Sequence, residues 1–329
     1  MGVFLSLFFG FIPMLFFAWL IYWVDRYEKE PKALLGGVFL WGALVAAGAA
    51  FLVNTSMALG IYSITHSPEA TEFATGFLVA PLVEEALKGA AVLMVFLFAR
   101  HEFDSILDGV IYAAIVALGF AASENTLYIF RDGYLEFGYA GLFSLVFIRV
   151  VLVGWQHPFY TAFFGIGLAI ARLSRPPLTR LAAAAGGLML AIIFHALHNT
   201  LSRLLAGFGG FILSSLYDWS GWFFMLLFIL WAIYREQQWI VQQLREEVQL
   251  GNLTAQQYQT ACSAWRQSFA RFGALFNNRL RTTSRFYQLC AELAYKKHQR
   301  KTLGEEGRNS QIIQDLRAEL ARLSPQALA

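Results

Sequence analysis

Charge is scarce in this sequence. Asp, Glu, Lys and Arg make up 14% of its 329 residues, and hydrophobic residues 57%; soluble domains carry about a quarter charged residues. That balance argues against a soluble globule. Cysteine is nearly missing: the only two, Cys262 and Cys290, lie too far apart for a CxxC metal or redox motif. On the reducing side of a membrane they are not expected to form a disulfide, and buried core thiols are the expectation. There is no HExxH, the most specific zinc-peptidase signature. There is also no low-complexity tract and no convincing internal repeat. Segment 55–72 contains no Lys or Arg at all.

Long apolar runs fill the space that charge leaves. Stretches of about 20 apolar residues, enough to cross a bilayer, recur along the first 234 positions and predict seven spans: 3–23, 34–54, 73–98, 106–130, 149–172, 181–204 and 211–233. The first lacks the basic n-region and small-x-small cleavage site of a secretory signal, so it is read as a retained helix. Loops after spans one, three and five carry Arg26, Lys29, Lys32, Arg100, Arg172, Arg175 and Arg180. By the positive-inside rule they face the cytoplasm, which places the N-terminus outside and the C-terminus inside.

The composition changes at Tyr234. Beyond it lie 14 Lys/Arg against 8 Asp/Glu, with apolar residues at helical spacing (Trp239, Ile240, Leu244, Val248; Phe286, Leu289, Leu293). Asn252-Leu-Thr-Ala-Gln-Gln reads as a turn with Thr254 as helix cap, and Gly304 to Ser310 as a loop. The fold class is therefore all-α: a polytopic membrane bundle of about seven transmembrane helices, N-out and C-in, over residues 1–234. Residues 235–329 form a small, basic, cytoplasmic helical tail, either resting on anionic headgroups or solvated. A nucleic-acid partner is not expected, and oligomeric state is not readable.

Against this apolar background, a few polar residues sit where each carboxylate costs roughly 2.5–3.5 kcal/mol. Glu84 and Glu85 lie midway along span three, with Lys88 one turn later. Glu124 and Asn125 lie near the outer end of span four, Gln156-His157-Pro158 in span five, and His195, His198 and Asn199 in span six. At 1.5 Å per residue, Glu124 is about 9 Å inside the outer boundary, His157 about 12 Å, His195 about 14 Å and the glutamate pair about 17 Å. Four helices thus place polar groups in one layer. Pro158 is expected to free the carbonyl of Gly154 and bend the helix beside His157. Runs of small residues (Ala113-Ala114, Ala121-Ala122, Ala182 to Gly187) permit close helix approach. His198 reads as a packing residue, and Asp104 and Asp108 as helix caps or dipole partners.

Such a set can activate water for attack on an amide in two ways. A glutamate acts as general base while His and Asn steady the oxyanion, or two His and a Glu hold a zinc ion. Residues four apart share a face, so Glu84 is expected to pair with Lys88, leaving Glu85 as the base. His157 and Glu124 would position water or metal, His195 and Asn199 the oxyanion, and Tyr128 would support Glu124. Metal candidates are Glu124, His157 and His195. A proton-coupled transporter or channel built on a Glu/His relay is the alternative from another class; a catalytically inactive scaffold is a third.

Several blocks resemble the PrsW family of intramembrane proteases. Val83-Glu-Glu-Ala-Leu-Lys88 looks like its EExxK motif. Phe103-Asp-Ser-Ile-Leu-Asp-Gly-Val-Ile-Tyr112 with Gly119-Phe-Ala-Ala-Ser-Glu-Asn125 resembles its second block. His157-Pro-Phe-Tyr-Thr-Ala-Phe-Phe-Gly165 and His195-Ala-Leu-His-Asn199 resemble the third and fourth. The likeness runs from about residue 20 to 205. It implies a polytopic peptidase of a bacterial or archaeal cell membrane, related to the CAAX prenyl proteases and Abi proteins, that cleaves membrane-anchored proteins such as anti-sigma factors. Carried over by motif, its functional positions are Glu84, Glu85, Glu124, His157, His195 and Asn199. The resemblance leaves the choice between a metal, zinc included, and a glutamate-activated water open. Asn199 stands where Asp also occurs in such motifs, and Pro158 is a departure.

Overall fold

A computed structural model describes residues 1–25, 27, 29–204, 208–305 and 308–327. Arg26 and Glu28 of the first loop, and Glu306 and Gly307 of the expected Gly304–Ser310 loop, lie outside the described residues. Among the described residues the chain is all-helical, with no strand. Its long elements are α1 (Gly2–Val24), α2 (Lys32–Leu40), α3 (Ala47–Thr65), α4 (Pro68–Ala74), α5 (Ala80–Phe98), α6 (Ile106–Tyr128), α7 (Glu136–Val146), α8 (Gln156–Leu173), α9 (Pro177–Leu204) and α10 (Phe208–Gln249). Wider π-helical turns join α2 to α3 (Trp41–Ala46), α4 to α5 (Thr75–Val79), α6 to α7 (Ile129–Leu135) and follow α7 (Phe147–Leu152).

Among the described residues, five helical runs are long and apolar enough to cross a membrane: Gly2–Val24, Lys32–Thr65, Ile106–Leu173, Pro177–Arg203 and Gly209–Gln249. The expected span 73–98 is not among them, because Glu84, Glu85 and Lys88 load α5 with charge. The expected spans 106–130 and 149–172 share one run. Within that run Gly138 leaves the helical conformation at φ 64°, a value that glycine adopts without a Cβ penalty. The chain reverses there: a Cβ on Gly141 would lie 2.5 Å from the carbonyl oxygen of Gly133.

The chain divides into two compact units, one of Met1–Val24, Glu30–Arg172 and Pro176–Phe228, the other of Asp25–Lys29, Leu173–Arg175 and Ile229–Ala329. In the first, α6 is the central post. Its start is fixed by Ser105, whose hydroxyl accepts from the amides of Leu107 and Asp108 while Asp108 returns bonds to Ser105, a capping box that satisfies otherwise orphaned donors. Asp108 is thus a cap. Several neighbours meet α6 backbone to backbone. A Cβ on Gly119 would sit 2.0 Å from the carbonyl oxygen of Phe39, and one on Gly165 of α8 would sit 2.0 Å from that of Gly109. Ala113, Ala114, Ala121 and Ala122 are all buried at these contacts, the close approach that small residues allow where no hydrophobic force drives helices together. Large apolar side chains such as Phe4, Leu44, Phe98 and Leu181 instead point outward and are exposed.

Pro158 does not bend a helix. Val153–Trp155 is already non-helical and α8 begins at Gln156, so the proline lies in the first turn, where a missing N–H leaves no bond unmade. The break precedes the proline.

The second unit packs the end of α10 and four further helices, α11 (Ala255–Ala261), α12 (Ala264–Phe276), α13 (Leu280–Leu303) and α14 (Asn309–Leu323). Ile240, Leu244, Phe286, Leu289, Leu293 and Leu316 share its core, with Trp239 and Val248 against it. Thr254 caps α11 in a capping box with Gln257. Cys290 is buried and Cys262 half-buried, and both are free. Arg285 grips Glu319 at 3.0 Å and holds that carboxyl below its ordinary range.

Candidate active site

Glu84 and Glu85 of α5 point in different directions from one helix, as neighbours 100° apart must. Both are buried, and so are Lys88, His157 and His195. The expected pairing of Lys88 with Glu84 does not form. The Lys88 Nζ instead donates to Glu85 Oε1 at 2.5 Å. Residues three and four apart both share a helix face, and the tertiary neighbours of Glu85 decide between them. Thr161 of α8 donates to Glu85 Oε2 at 2.8 Å, and His195 Nδ1 of α9 lies 2.9 Å from Glu85 Oε1. Every face of that carboxylate is engaged.

Glu84 is differently placed. Its Oε1 accepts from Asn54 Nδ2 of α3 at 3.2 Å, while its buried Oε2 has no hydrogen-bond partner. A carboxylate can only accept, so His195 Nδ1 donates to Glu85 and Nε2 is left presenting a lone pair. That Nε2 faces Glu84 Oε2 at 3.9 Å. Two lone-pair-bearing atoms thus confront each other in a buried place, an arrangement suited to a donor or a cation between them.

His157, second residue of α8, completes the group. Lys88 Nζ approaches its Nδ1 at 3.2 Å. An ammonium has no acceptor, so Nδ1 accepts and Nε2 carries the proton toward Glu124 Oε2 at 2.9 Å. Phe120 of α6 lies beside both groups, its ring centroid 4.7 Å from Lys88 Nζ and 5.3 Å from that of the His157 ring. Arg149, in the π-helical turn before the break, donates to Glu124 Oε2 at 2.5 Å and to Asn125 Oδ1 at 2.9 Å.

Glu84, Glu85, Glu124, His157, His195 and Lys88 therefore meet in one network. Two residues read from the sequence stand elsewhere. Asn199 spends its amide on the carbonyl of Gly76, at 2.8 Å, tying α9 to the turn before α5. Tyr128 makes no hydrogen bond to Glu124; its ring lies 4.1 Å from the guanidinium of Arg149. His198 is more than packing: its Nδ1 lies 2.9 Å from Asp218 of α10. Asp218 also accepts from Tyr160 at 2.7 Å, whose ring stacks on His195 at 5.1 Å.

The sequence reading missed Asn54, Arg149, Thr161 and Asp218. Asp218 carried the signal used for the glutamates, an ionisable residue inside an apolar run, and Thr161 follows His157 at i+4 on the same face. Arg149 stands at the first residue of the expected span 149–172, where a basic residue needs no functional explanation. Asn54 gave no signal beyond polarity.

Glu84, His157 and His195 each offer a ligand atom, all within 4.8 Å of one another. Two imidazoles and a carboxylate are a common zinc set. The donation of His195 Nδ1 to Glu85 is the outer hydrogen bond that fixes ring and tautomer in metal-binding histidines. Glu84 Oε2 is free of competing donors. Glu84 Oε2 and His195 Nε2 fit a divalent ion as they stand, with Glu84 taking the place expected of Glu124, which Arg149 and His157 already occupy; His157 would join them only by giving up its contact with Lys88 or Glu124.

The model of the PrsW family intramembrane metalloprotease matches residues 30–233. The chain belongs to this family. Among curated PrsW relatives, Protease PrsW of Geobacillus kaustophilus is 38% identical over 34% of this chain and 46% of its own length. Protease PrsW of Clostridioides difficile is 36% identical over 34% and 46%. Both matches thus span about half the relative. Protease PrsW of Bacillus subtilis is 27% identical over 64% of this chain and 83% of its own. No solved structure matches the chain.

Proposed function

We propose that this PrsW-family protein is an intramembrane endopeptidase that hydrolyses peptide bonds of membrane-anchored proteins. The observation that carries the reading is Glu84 Oε2, buried, without a hydrogen-bond partner, and facing His195 Nε2. Water donating one proton to each atom is held and activated there. As its oxygen attacks the peptide carbonyl, Glu84 takes the proton and then passes it to the leaving amine. Glu85, fixed by Lys88 and Thr161, orients His195. His157, whose Nε2 proton is held by Glu124, would steady the developing oxyanion on turning that proton from the carboxylate. A divalent ion held by Glu84 and His195, with His157 as third ligand in place of its donor role once it leaves Lys88 or Glu124, would polarise the carbonyl and acidify water.

The sequence bias of Lys and Arg supports seven spans, counting α5 and the two arms that meet at Gly138, with the N-terminus outside. Residues 1–234 would form the membrane domain of a bacterial cell membrane, and 235–329 a cytoplasmic helical domain.

The test compares cleavage of a single-span fluorogenic protein by wild type, Glu84→Gln and Glu85→Gln in detergent, with metal content measured alongside. Glu84→Gln is expected to lose at least about 100-fold in rate with its melting temperature preserved. Glu85→Gln is expected to lower both rate and melting temperature. Full activity in Glu84→Gln would sink the assignment. Metal that co-purifies with wild type and is lost in His195→Ala would establish the ion.

A further inference from the structure

The helices α11 to α14 lie beyond residue 233, where the family match ends, so the peptidase reading gives them no role. Among them α12 is amphipathic in the reverse sense. Its buried residues are Gln267, Ala270 and Ala274, while Trp265, Phe269, Phe272 and Phe276 are 77%, 68%, 62% and 74% exposed. A helix that serves only a core turns its large apolar residues inward. At 100° per residue the four aromatics fall within about 60° of one another, roughly opposite the buried three. Trp265 stacks on Phe269, and Phe272 meets Phe276 edge-on at 5.1 Å. The rings form a stripe of roughly 500 Å², large enough to mark a binding face.

The charge around the stripe identifies its partner. Residues 248–291 contain no Asp or Glu but five arginines, Arg266, Arg271, Arg279, Arg281 and Arg285. Arg285 is spent on Glu319 and Glu292, whereas Arg266, Arg279 and Arg281 are exposed. Between α11 and α12 lies a cleft of about 610 Å³ lined by Gln256, Gln259, Arg266 and Phe269. Within it Arg266 donates to Gln259 Oε1 at 2.8 Å, so guanidinium and amide donors stand against an aromatic wall. A second copy of this chain fits poorly, because a two-fold interface sets a patch against itself and would bring arginines onto arginines. An anionic bilayer surface suits both parts: aromatic rings enter the acyl boundary and arginines stay among the headgroups. Connectivity keeps that surface within reach. α10 carries an apolar run long enough to cross a membrane and continues unbroken into the second unit. We propose that α12 lies in the membrane interface as a peripheral anchor of the second unit, with its aromatic stripe in the acyl boundary and the phosphate of an anionic lipid in the cleft beside Arg266.

The experiment uses the full-length chain carrying Cys262→Ala and Cys290→Ala, one copy per lipid nanodisc, with a nitroxide attached at Phe269→Cys. Oxygen concentrates in hydrocarbon and a nickel chelate stays in water, so their collisions with the label report its depth. In discs containing phosphatidylglycerol the label is expected to meet oxygen and to be shielded from nickel. In pure phosphatidylcholine discs nickel should reach it at least about tenfold more often, as the loss of attraction between several arginines and an anionic surface requires. The triple variant Arg266→Glu/Arg279→Glu/Arg281→Glu, confined to exposed positions, should release the label in phosphatidylglycerol discs to the same extent with its unfolding midpoint unchanged. A label equally open to nickel in both lipids overturns the proposal. Shielding that persists both in pure phosphatidylcholine and in the triple variant also overturns it, since the arginines would then recognise nothing. Shielding that appears only in discs holding two copies, together with dipolar broadening, assigns the stripe to a second copy and likewise overturns it.

Discussion

Lys88 is the residue on which the others depend. Its ammonium is the shared donor to Glu85 and His157 and is fully buried over the ring of Phe120. Removing one partner of a buried ion pair strands the other charge, at about 3–5 kcal/mol. Lys88→Met should therefore destabilise the protein by that amount, seen as a lower unfolding midpoint in detergent. The double variant Lys88→Met/Glu85→Leu should recover part of the loss, because no charge is then left unpaired. A single variant as stable as wild type would show that Lys88 is not the anchor. The sequence identified Lys88 as a partner but not whose. Glu84 at i−4 and Glu85 at i−3 are equivalent by helix geometry, and Thr161 and His195, 76 and 110 positions away, settle the choice. For the same reason the sequence left Glu85 as the expected base, whereas the contacts engage Glu85 and leave Glu84 Oε2 without a partner, which is what supports the proposed exchange of roles.

At the scale of the element, the helix boundaries near the site matter more than the helices' composition. α8 starts at Gln156, which puts His157 on a first turn and Pro158 where a proline is harmless. Pro158→Ala is expected to change stability by under about 1 kcal/mol and to leave cleavage intact. The same residue inside a helix would cost about 3 kcal/mol; a large change on substitution would restore the kink. Hydropathy could not reveal this start, because Val153, Gly154 and Trp155 are as apolar as a helix would be. It also gives no sign of the four π-helical turns, which depend on tertiary contacts such as the Trp41 indole donating to the Leu87 carbonyl and Ser123 donating to that of Ala43. The sets of residues sharing a layer were legible, since equal depth in different helices needs only the 1.5 Å rise.

For the whole molecule, composition separates two regimes at Tyr234, while the compact units part between Phe228 and Ile229, inside the continuous α10. Hydropathy responds to surroundings and packing to contacts, so the two need not coincide. Sidedness is testable in a background carrying Cys262→Ala and Cys290→Ala. A membrane-impermeant maleimide is expected to label Ser63→Cys on intact cells and Ser310→Cys only after lysis. The opposite pattern would invert the proposed topology. Among the described residues the structure has five apolar runs against the seven spans expected from the sequence, and the buried charges of α5 lower the hydropathy of that helix. The segment with the buried glutamate pair is thereby the one that looks least like a membrane helix.

The contact between Gly109 and Gly165 reaches further than its size suggests. Two helices that touch at bare backbone have no side chain between them to flex, so the junction acts as a fulcrum. His157 lies eight residues up α8 from it, a lever arm of about 12 Å. A single methyl group at the fulcrum would swing the imidazole away from Glu124 by an amount the site cannot absorb, given that about 1 Å of misplacement can cost a hundredfold in rate. The alignment of this acid and imidazole is inherited from two residues that have no side chain and take no part in the chemistry.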